Sequence, residues 1–176
     1  LVWQGYRFYK QVTEETPLTQ KVEEIRSKPH FTTLEELPQT YLNAVIAVED
    51  ARFYKHGGID LISTGRAVLT NLKEQELAEG GSSITQQLAK NMYFGYEPSL
   101  IRKFSELFVV HDLESRYDKD TILELYINII NYGDNNFGIY DAAYNYYGVS
   151  PAELDLDQAS TLAGIPQSPA YLQLSN

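Results

Sequence analysis

From Leu34 onward, apolar residues recur at three- and four-residue intervals almost without a break, and the every-second-residue alternation of a half-buried strand is scarce. A chain patterned this way buries its apolar stripes helix against helix, so the expected fold is mainly α. The first strong helix is predicted over Leu37 to Arg52, where Leu42, Val45, Ile46 and Val48 form the stripe and Glu49-Asp50 closes it. A loop through His56-Gly57-Gly58 follows, then a helix from about Leu61 to Glu76 that Gly80-Gly81 interrupts. Ser83 and Gln86 stand at the spacing of a capping box, which predicts a helix from there to about Asn91. After Pro98, Ser99 reads as the N-cap of a long helix from Leu100 to about Arg116. Another begins near Asp118 and stops before Gly133. The next runs from about Phe137 to a Gly148 C-cap. Ser150-Pro151-Ala152-Glu153 joins an N-cap, a first-turn proline and a glutamate three on, a helix start by its chemistry. The final helix, Asp157 to Gly164, breaks at Pro166 and Pro169, giving about eight helices with no repeat and no clear domain boundary.

Charge and composition narrow the function. With 14 basic against 24 acidic side chains the net charge is -10, which argues against a nucleic-acid partner unless the basic residues cluster. The absence of cysteine removes disulfides, thiolate metal sites and a thiol nucleophile, and leaves the compartment open. No apolar run reaches the roughly 18 residues of a membrane span. At the start, Trp3, Tyr6, Arg7, Phe8, Tyr9 and Lys10 mix aromatic and basic character in the way that favours a membrane–water interface. This segment reads either as the exit of a membrane anchor lying upstream or as an amphipathic first helix packed on the domain.

Three groups of residues carry candidate chemistry. Glu49 ends an apolar helix, where the negative end of the dipole and a low dielectric both disfavour a carboxylate and raise its pKa toward that of a general base. Seen alone, the Glu49-Asp50 pair reads equally as an exposed helix end. Glu106 shares a helix face with Arg102 and follows Lys103 by three, which is either an ordinary surface ion pair or an acid set among anion binders. Lys90, with the amides opening the Gln86-Gln87 helix, would extend such a patch to suit a diphosphate. Glu124, Asn128 and Asn131 make one polar stripe on a very apolar helix, read as structural and bonding to the loops around Glu49 or Gly133. His56 and His111 stand in no convincing zinc-site spacing.

Taken in order, these segments resemble the peptidoglycan glycosyltransferases of glycosyltransferase family 51, which occur as monofunctional transglycosylases and as the N-terminal halves of class A penicillin-binding proteins. Glu49-Asp50-Ala51-Arg52-Phe53-Tyr54-Lys55-His56-Gly57-Gly58 is similar to the pattern ED-x-x-F-x-x-H-x-G, and Gly81-Ser82-Ser83-Ile84-Thr85-Gln86-Gln87-Leu88-Ala89-Lys90-Asn91 to G-S-T-I-T-Q-Q-x-x-K-N. Arg102-Lys103-Phe104-Ser105-Glu106 resembles R-K-x-x-E, and Ile122 to Asn128, Ala142 to Gly148 and Leu162 to Pro166 continue the order. Ser83 stands where the family usually has threonine, His111 where a small apolar residue is usual, and Asn131-Tyr132-Gly133 is an altered segment.

The resemblance implies a lysozyme-like helical domain over residues 31–176, with residues 1–30 as a membrane-proximal segment. It also implies a smaller membrane-facing jaw lobe between the Gly58 loop and the Arg102 helix, in which Ile59, Leu61, Ile62, Val68, Leu69, Met92, Tyr93 and Phe94 shelter a polyprenyl tail or simply pack the core. The implied reaction is inverting polymerisation of glycan strands from lipid II, with Glu49 and Glu106 catalytic. Asp50, Phe53, His56, Ser82, Thr85, Gln86, Gln87, Lys90, Asn91, Arg102 and Lys103 are the implied substrate-binding residues. Implied partners are lipid II, the growing glycan chain, the membrane surface and an inhibitor of the moenomycin type, with no nucleic acid. The location would be the outer face of the bacterial cytoplasmic membrane, with an anchor upstream. No organic cofactor is expected; Mg2+ or Mn2+ enters from the resemblance alone, since the sequence holds no self-sufficient metal motif. A lysozyme-like glycan hydrolase also needs two carboxylates beside a sugar cleft, and a non-catalytic glycan- or membrane-binding module would suit the 14 tyrosines.

Overall fold

The computed structural model describes residues 1–66, 81–95 and 99–176. Their helices are α1 (Val2–Glu15), α2 (Leu18–Arg26), α3 (Gln39–Glu49), α4 (residues 61–66), α5 (Ile84–Tyr93), α6 (Leu100–Arg116), α7 (Lys119–Ile127), α8 (Ile139–Tyr147), α9 (Leu156–Gly164) and α10 (Pro169–Leu172). Among the described residues no strand forms, and the single β-like feature is an antiparallel bridge between Asn131 and Phe137. The chain is therefore mainly α, as its periodicity predicts.

The start signals act as their chemistry requires. Ser83, Ser99, Asp118 and Asp155 each accept a hydrogen bond from the backbone N–H three residues on, satisfying one of the orphan donors of a first turn. Gly148 ends α8 at φ 65, a left-handed cap that costs glycine nothing. Other boundaries shift for local reasons. Helix α3 starts only after Pro38 and stops at Glu49, because Asp50 turns to φ -161 and sends its side chain to a neighbouring loop. The helix expected to run on towards Gly133 ends at Ile127, where the turn tightens so that Asn128 N bonds to Leu125 O and Ile129 N to Tyr126 O, while the Asn128 side chain pairs with the Thr32 backbone. Ser150 to Glu153 closes its capping box around a single 3-10 turn, since Asp155 offers a second start immediately afterwards. The predicted Leu61 to Glu76 helix is seen through residue 66; its remainder, with Val68, Leu69, Gly80 and Pro98, lies outside the described residues.

Helix α7 is the axle of the core, with Ile122, Leu123, Leu125, Tyr126 and Ile127 all buried. Leu88 and Ala89 of α5 and Val109 and Leu113 of α6 belong to helices packed on it, and the same core continues through Tyr41, Leu42 and Val45 of α3, which packs on α9 with its Ala159, Leu162 and Ala163. Each fully buried large aliphatic side chain contributes about 1.5–3 kcal/mol relative to exposure. Helix α2 joins this core through Leu18, Val22 and Ile25. Helix α1 crosses α6 at Gly5, where a Cβ would stand 2.5 Å from the Phe104 Cβ, and Ser105 Oγ donates to Gly5 O at 2.9 Å. Of the residues expected to shelter a polyprenyl tail, Leu61 and Ile62 are exposed, Met92 is buried, and Ile59, Tyr93 and Phe94 lie half-covered against the core.

Candidate active site

Glu49 is the last residue of α3, so its carboxylate sits where the helix dipole is negative. Gln87 Nε2, from the first half of α5, donates to Glu49 Oε2 at 2.9 Å. Oε1 is buried and has no hydrogen-bond partner. Burial pushes the Glu49 carboxyl above its ordinary 4.5, the Gln87 hydrogen bond pulls it back, and the neighbouring Asp50 charge pushes it further up. The sequence-based expectation of a raised carboxylate holds, with desolvation as its chief cause.

The next residue has a different task. His56 Nε2 lies 2.8 Å from both Asp50 oxygens, and Ile84 N donates to Asp50 Oδ2 at 3.1 Å. Gly58 N donates to His56 Nδ1 at 3.1 Å, which leaves Nε2 to carry the proton toward Asp50. Ser83 Oγ donates to the Gly58 carbonyl, so the loop after α3 is laced to the start of α5 at both ends. Phe53 is fully buried, its ring against Tyr54 and His56 with Lys119 Nζ 4.6 Å above it. Thr85 is fully buried too and donates to Glu114 Oε1 at 2.7 Å. Gln86 Oε1 accepts from Ser83 N at 2.9 Å within the capping box. Asp50, Phe53, His56, Thr85 and Gln86 thus frame the loop from beneath.

Glu106, on α6, is 1% exposed, with Arg102 Nε at 3.1 Å from Oε1 and Lys103 Nζ at 3.3 Å from Oε2. These distances make ion pairs, although the angles do not make well-directed hydrogen bonds. Arg102 Nη1 also donates to Gly95 O at 2.7 Å, and Lys103, 45% exposed, reaches Ser82 Oγ at 3.3 Å. Gln87 Nε2 lies 3.4 Å from Ser82 O. Ser82 therefore connects the two acidic residues: Glu49 through Gln87 on one side, Glu106 through Lys103 on the other. Asn91 Nδ2 bonds to Gln87 O at 2.8 Å, and Lys90 is half-buried on the last turn of α5. A depression of about 780 Å³ lies elsewhere, between α1 and Ile101, and contains none of these groups.

Residues 14–176 match the family described as Transglycosylase. The chain belongs to the transglycosylase family. It is 44% identical over 151 residues to penicillin-binding protein 1A/1B of Bacillus subtilis (strain 168), covering 85% of this chain and 16% of that protein. It is 42% identical over 147 residues to penicillin-binding protein 1A of Neisseria lactamica, and 41% identical over the same length to that of Neisseria gonorrhoeae, covering 83% of this chain and 18% of each relative. The chain thus spans less than a fifth of the length of these relatives. Family membership makes it a transglycosylase domain, an enzyme.

Among the described residues of this transglycosylase no group of three or more His, Asp or Glu could hold a metal ion, and Asp50 is already engaged by His56 and Ile84. The described side chains by themselves make no self-contained site for Mg2+ or Mn2+. The polar stripe has structural partners. Glu124 Oε2 accepts from Leu34 N at 3.0 Å, Asn128 pairs with both the N–H and the C=O of Thr32 at 2.8 Å, and Asn131 Oδ1 accepts from Gly133 N at 2.8 Å. Glu124 and Asn128 therefore hold the segment before α3 rather than the loop around Glu49, because α7 runs beside that segment. Sequence reasoning missed three buried tyrosines, Tyr41, Tyr126 and Tyr132, which burial and the nearby Glu49 charge keep protonated. Tyr41 and Tyr132 share a short hydroxyl–hydroxyl hydrogen bond, and Tyr126 OH donates to Gln87 Oε1 at 3.3 Å. A phenol inside the apolar run Ile122 to Ile127 was the available signal, since its hydroxyl must find a partner.

Proposed function

We propose that this transglycosylase polymerises glycan strands from lipid II at the outer face of the bacterial cytoplasmic membrane. One observation carries the reading. Two carboxylates joined through Ser82 have opposite surroundings: Glu49 is desolvated, takes its hydrogen bond from the neutral Gln87 amide and keeps one oxygen unpartnered, whereas Glu106 is clasped by Arg102 and Lys103. A pair divided this way suits a base on one side and an anion-binding wall on the other.

In this reading Glu49 Oε1 takes the proton from the 4-hydroxyl of the acceptor as its oxygen attacks the anomeric carbon of the lipid-linked chain. The new C–O bond forms with inversion while the bond from that carbon to the phosphate oxygen breaks, and polyprenyl diphosphate leaves. Arg102, Lys103 and Lys90 offset its charge, and Glu106 holds the first two in place. Ser82, Gln87 and Asn91 orient sugar and phosphate groups, whereas Asp50, Phe53, His56, Thr85 and Gln86 keep the loop and the start of α5 in register. Mg2+ or Mn2+ would be held with the diphosphate, near Glu49 and Asp50. A moenomycin-type phosphoglycolipid would compete for the same cations. Residues 1–30 form the membrane-proximal part, supported by exposed Leu1, Val2 and Trp3 beside Arg7. Among the described residues no helix is long and apolar enough to cross a membrane.

The test is Glu49→Gln with lipid II as substrate. Loss of general base catalysis predicts a fall of about 100- to 10,000-fold in chain elongation, with donor binding retained. Elongation within a few-fold of the parent chain would overturn the assignment.

A further inference from the structure

We propose that Tyr126 is a positioning residue for glycosyl transfer, its hydroxyl fixing the Gln87 side chain so that the Gln87 N–H is turned onto Glu49. The inference rests on Glu49 being the base. Tyr126 is 1% exposed on the helix that forms the axle of the core, where a phenylalanine would pack as well. What needs an explanation is the hydroxyl, and its partner is Gln87 Oε1 at 3.3 Å.

The geometry leaves Gln87 one orientation. Its Nε2 lies between two groups that only accept, Glu49 Oε2 at 2.9 Å and the Ser82 carbonyl at 3.4 Å. Turning the amide over would set its carbonyl against both of them and its NH2 against the phenol. The two acceptors at Nε2 choose this orientation, and the Tyr126 hydroxyl, donating to Oε1, pins the far end of the amide in it. Among the described residues Glu49 is coupled by charge to Asp50 beside it, Tyr41 from within α3, Tyr126 from α7 and Tyr132 from the turn beyond α7. From the segment after α9, Gln167 reaches only the Val48 carbonyl. Gln87 is the neutral donor in that set, and the hydrogen bond it gives favours the ionised carboxylate. Burial holds Tyr126 well above the ordinary range of a phenol, so it stays a donor throughout the working pH range. With Oε2 held in this way, the arriving proton is directed to Oε1.

The experiment is the pH dependence of kcat with lipid II for the parent chain, Tyr126→Phe, Gln87→Met and the double variant, with thermal unfolding measured alongside. Tyr126→Phe should move the acid limb upward by about half a pH unit, roughly a threefold rise in the proton affinity of Glu49, with KM little changed. Gln87→Met should move it at least as far, and the double variant no further than Gln87→Met alone. An unmoved limb in Tyr126→Phe with a lowered unfolding midpoint would reduce the phenol to a packing group. Additive shifts in the double variant, or an unmoved limb in Gln87→Met, would equally overturn the proposal. Full activity of Glu49→Gln would sink the base itself. An inactive Glu49→Gln beside an unmoved Tyr126→Phe limb would sink only this inference.

Discussion

Replacing Glu49 by glutamine should abolish elongation and yet stabilise the fold at neutral pH. The sign follows from linkage. Burial and the Asp50 charge raise the folded-state pKa of Glu49 above the unfolded value near 4.5, so between those two values the folded chain binds more protons than the unfolded one. Stability contributed by this group is complete below about pH 4.5 and is lost as pH rises through the raised folded value. Above that raised value the chain carries an ionised, largely covered carboxylate with one oxygen unpartnered. Leaving such an acceptor unsatisfied costs about 1–3 kcal/mol. Glutamine keeps an acceptor for Gln87 and removes the charge, so a gain of about 1–2 kcal/mol is expected at pH 7. For a chain of this size that is roughly 2–8 °C in Tm. Thermal unfolding of both proteins at pH 7.5 and near pH 4.5 reads it directly, and the gap should narrow as the pH falls. A destabilised Glu49→Gln at neutral pH, or a gap independent of pH, would refute the account of how the base is tuned.

Much of the fold was legible because helix starts are local chemistry. Ser83, Ser99 and Asp118 are caps in the structure because a short side-chain oxygen three residues before an N–H satisfies it whatever lies beyond. Helix ends were less legible because distant partners set them. Nothing near Asn128 in sequence says that its side-chain amide, at the end of α7, will pair with the backbone of Thr32, 96 positions away. Nor does the composition of residues 1–30 say that Leu18, Val22 and Ile25 insert into the core while Trp3 stays outside.

The candidate site divides in the same way. Glu49 at a helix end and Glu106 between Arg102 and Lys103 were visible as spacings, and the structure links both through Ser82. Invisible was the separation of tasks within each motif. Glu49 and Asp50 are adjacent, yet one is left with an unpartnered oxygen and the other is tied to His56 and Ile84. That difference arises from where each side chain leaves the end of α3, which no spacing encodes. The lacing of the 50–58 loop to α5 has its own consequence: the residue types that suggest binding, Phe53 and Thr85 above all, are the ones with no exposed surface.

Three further outcomes test these assignments. Lys103→Ala removes the partly exposed cation between Ser82 and Glu106 and should weaken binding of diphosphate-linked donor about tenfold or more; unchanged affinity by direct titration would remove Lys103 from the anion wall. Asn128→Ala strips the Thr32 backbone of both its partners and should cost about 2–4 kcal/mol in urea unfolding, whereas a loss below about 0.5 kcal/mol would mean that the Thr32 segment finds water instead. Gly138→Ala is the sharpest probe of the turn that follows α7. Gly138 sits at φ 91, a backbone conformation costly for any L side chain, and an added Cβ would stand 2.5 Å from the Asn128 carbonyl oxygen. That oxygen belongs to backbone and cannot swing aside as a flexible side chain would. The turn must therefore open, and with it the Gly138 N–H bond to Ile130 O at 2.9 Å. A loss of at least about 2 kcal/mol is expected from strain and bond together. Because the same turn carries Tyr132, whose hydroxyl meets Tyr41 on α3, elongation should fall even where the variant remains folded. A stable Gly138→Ala with parental turnover would show that this turn does not transmit its geometry to the end of α3.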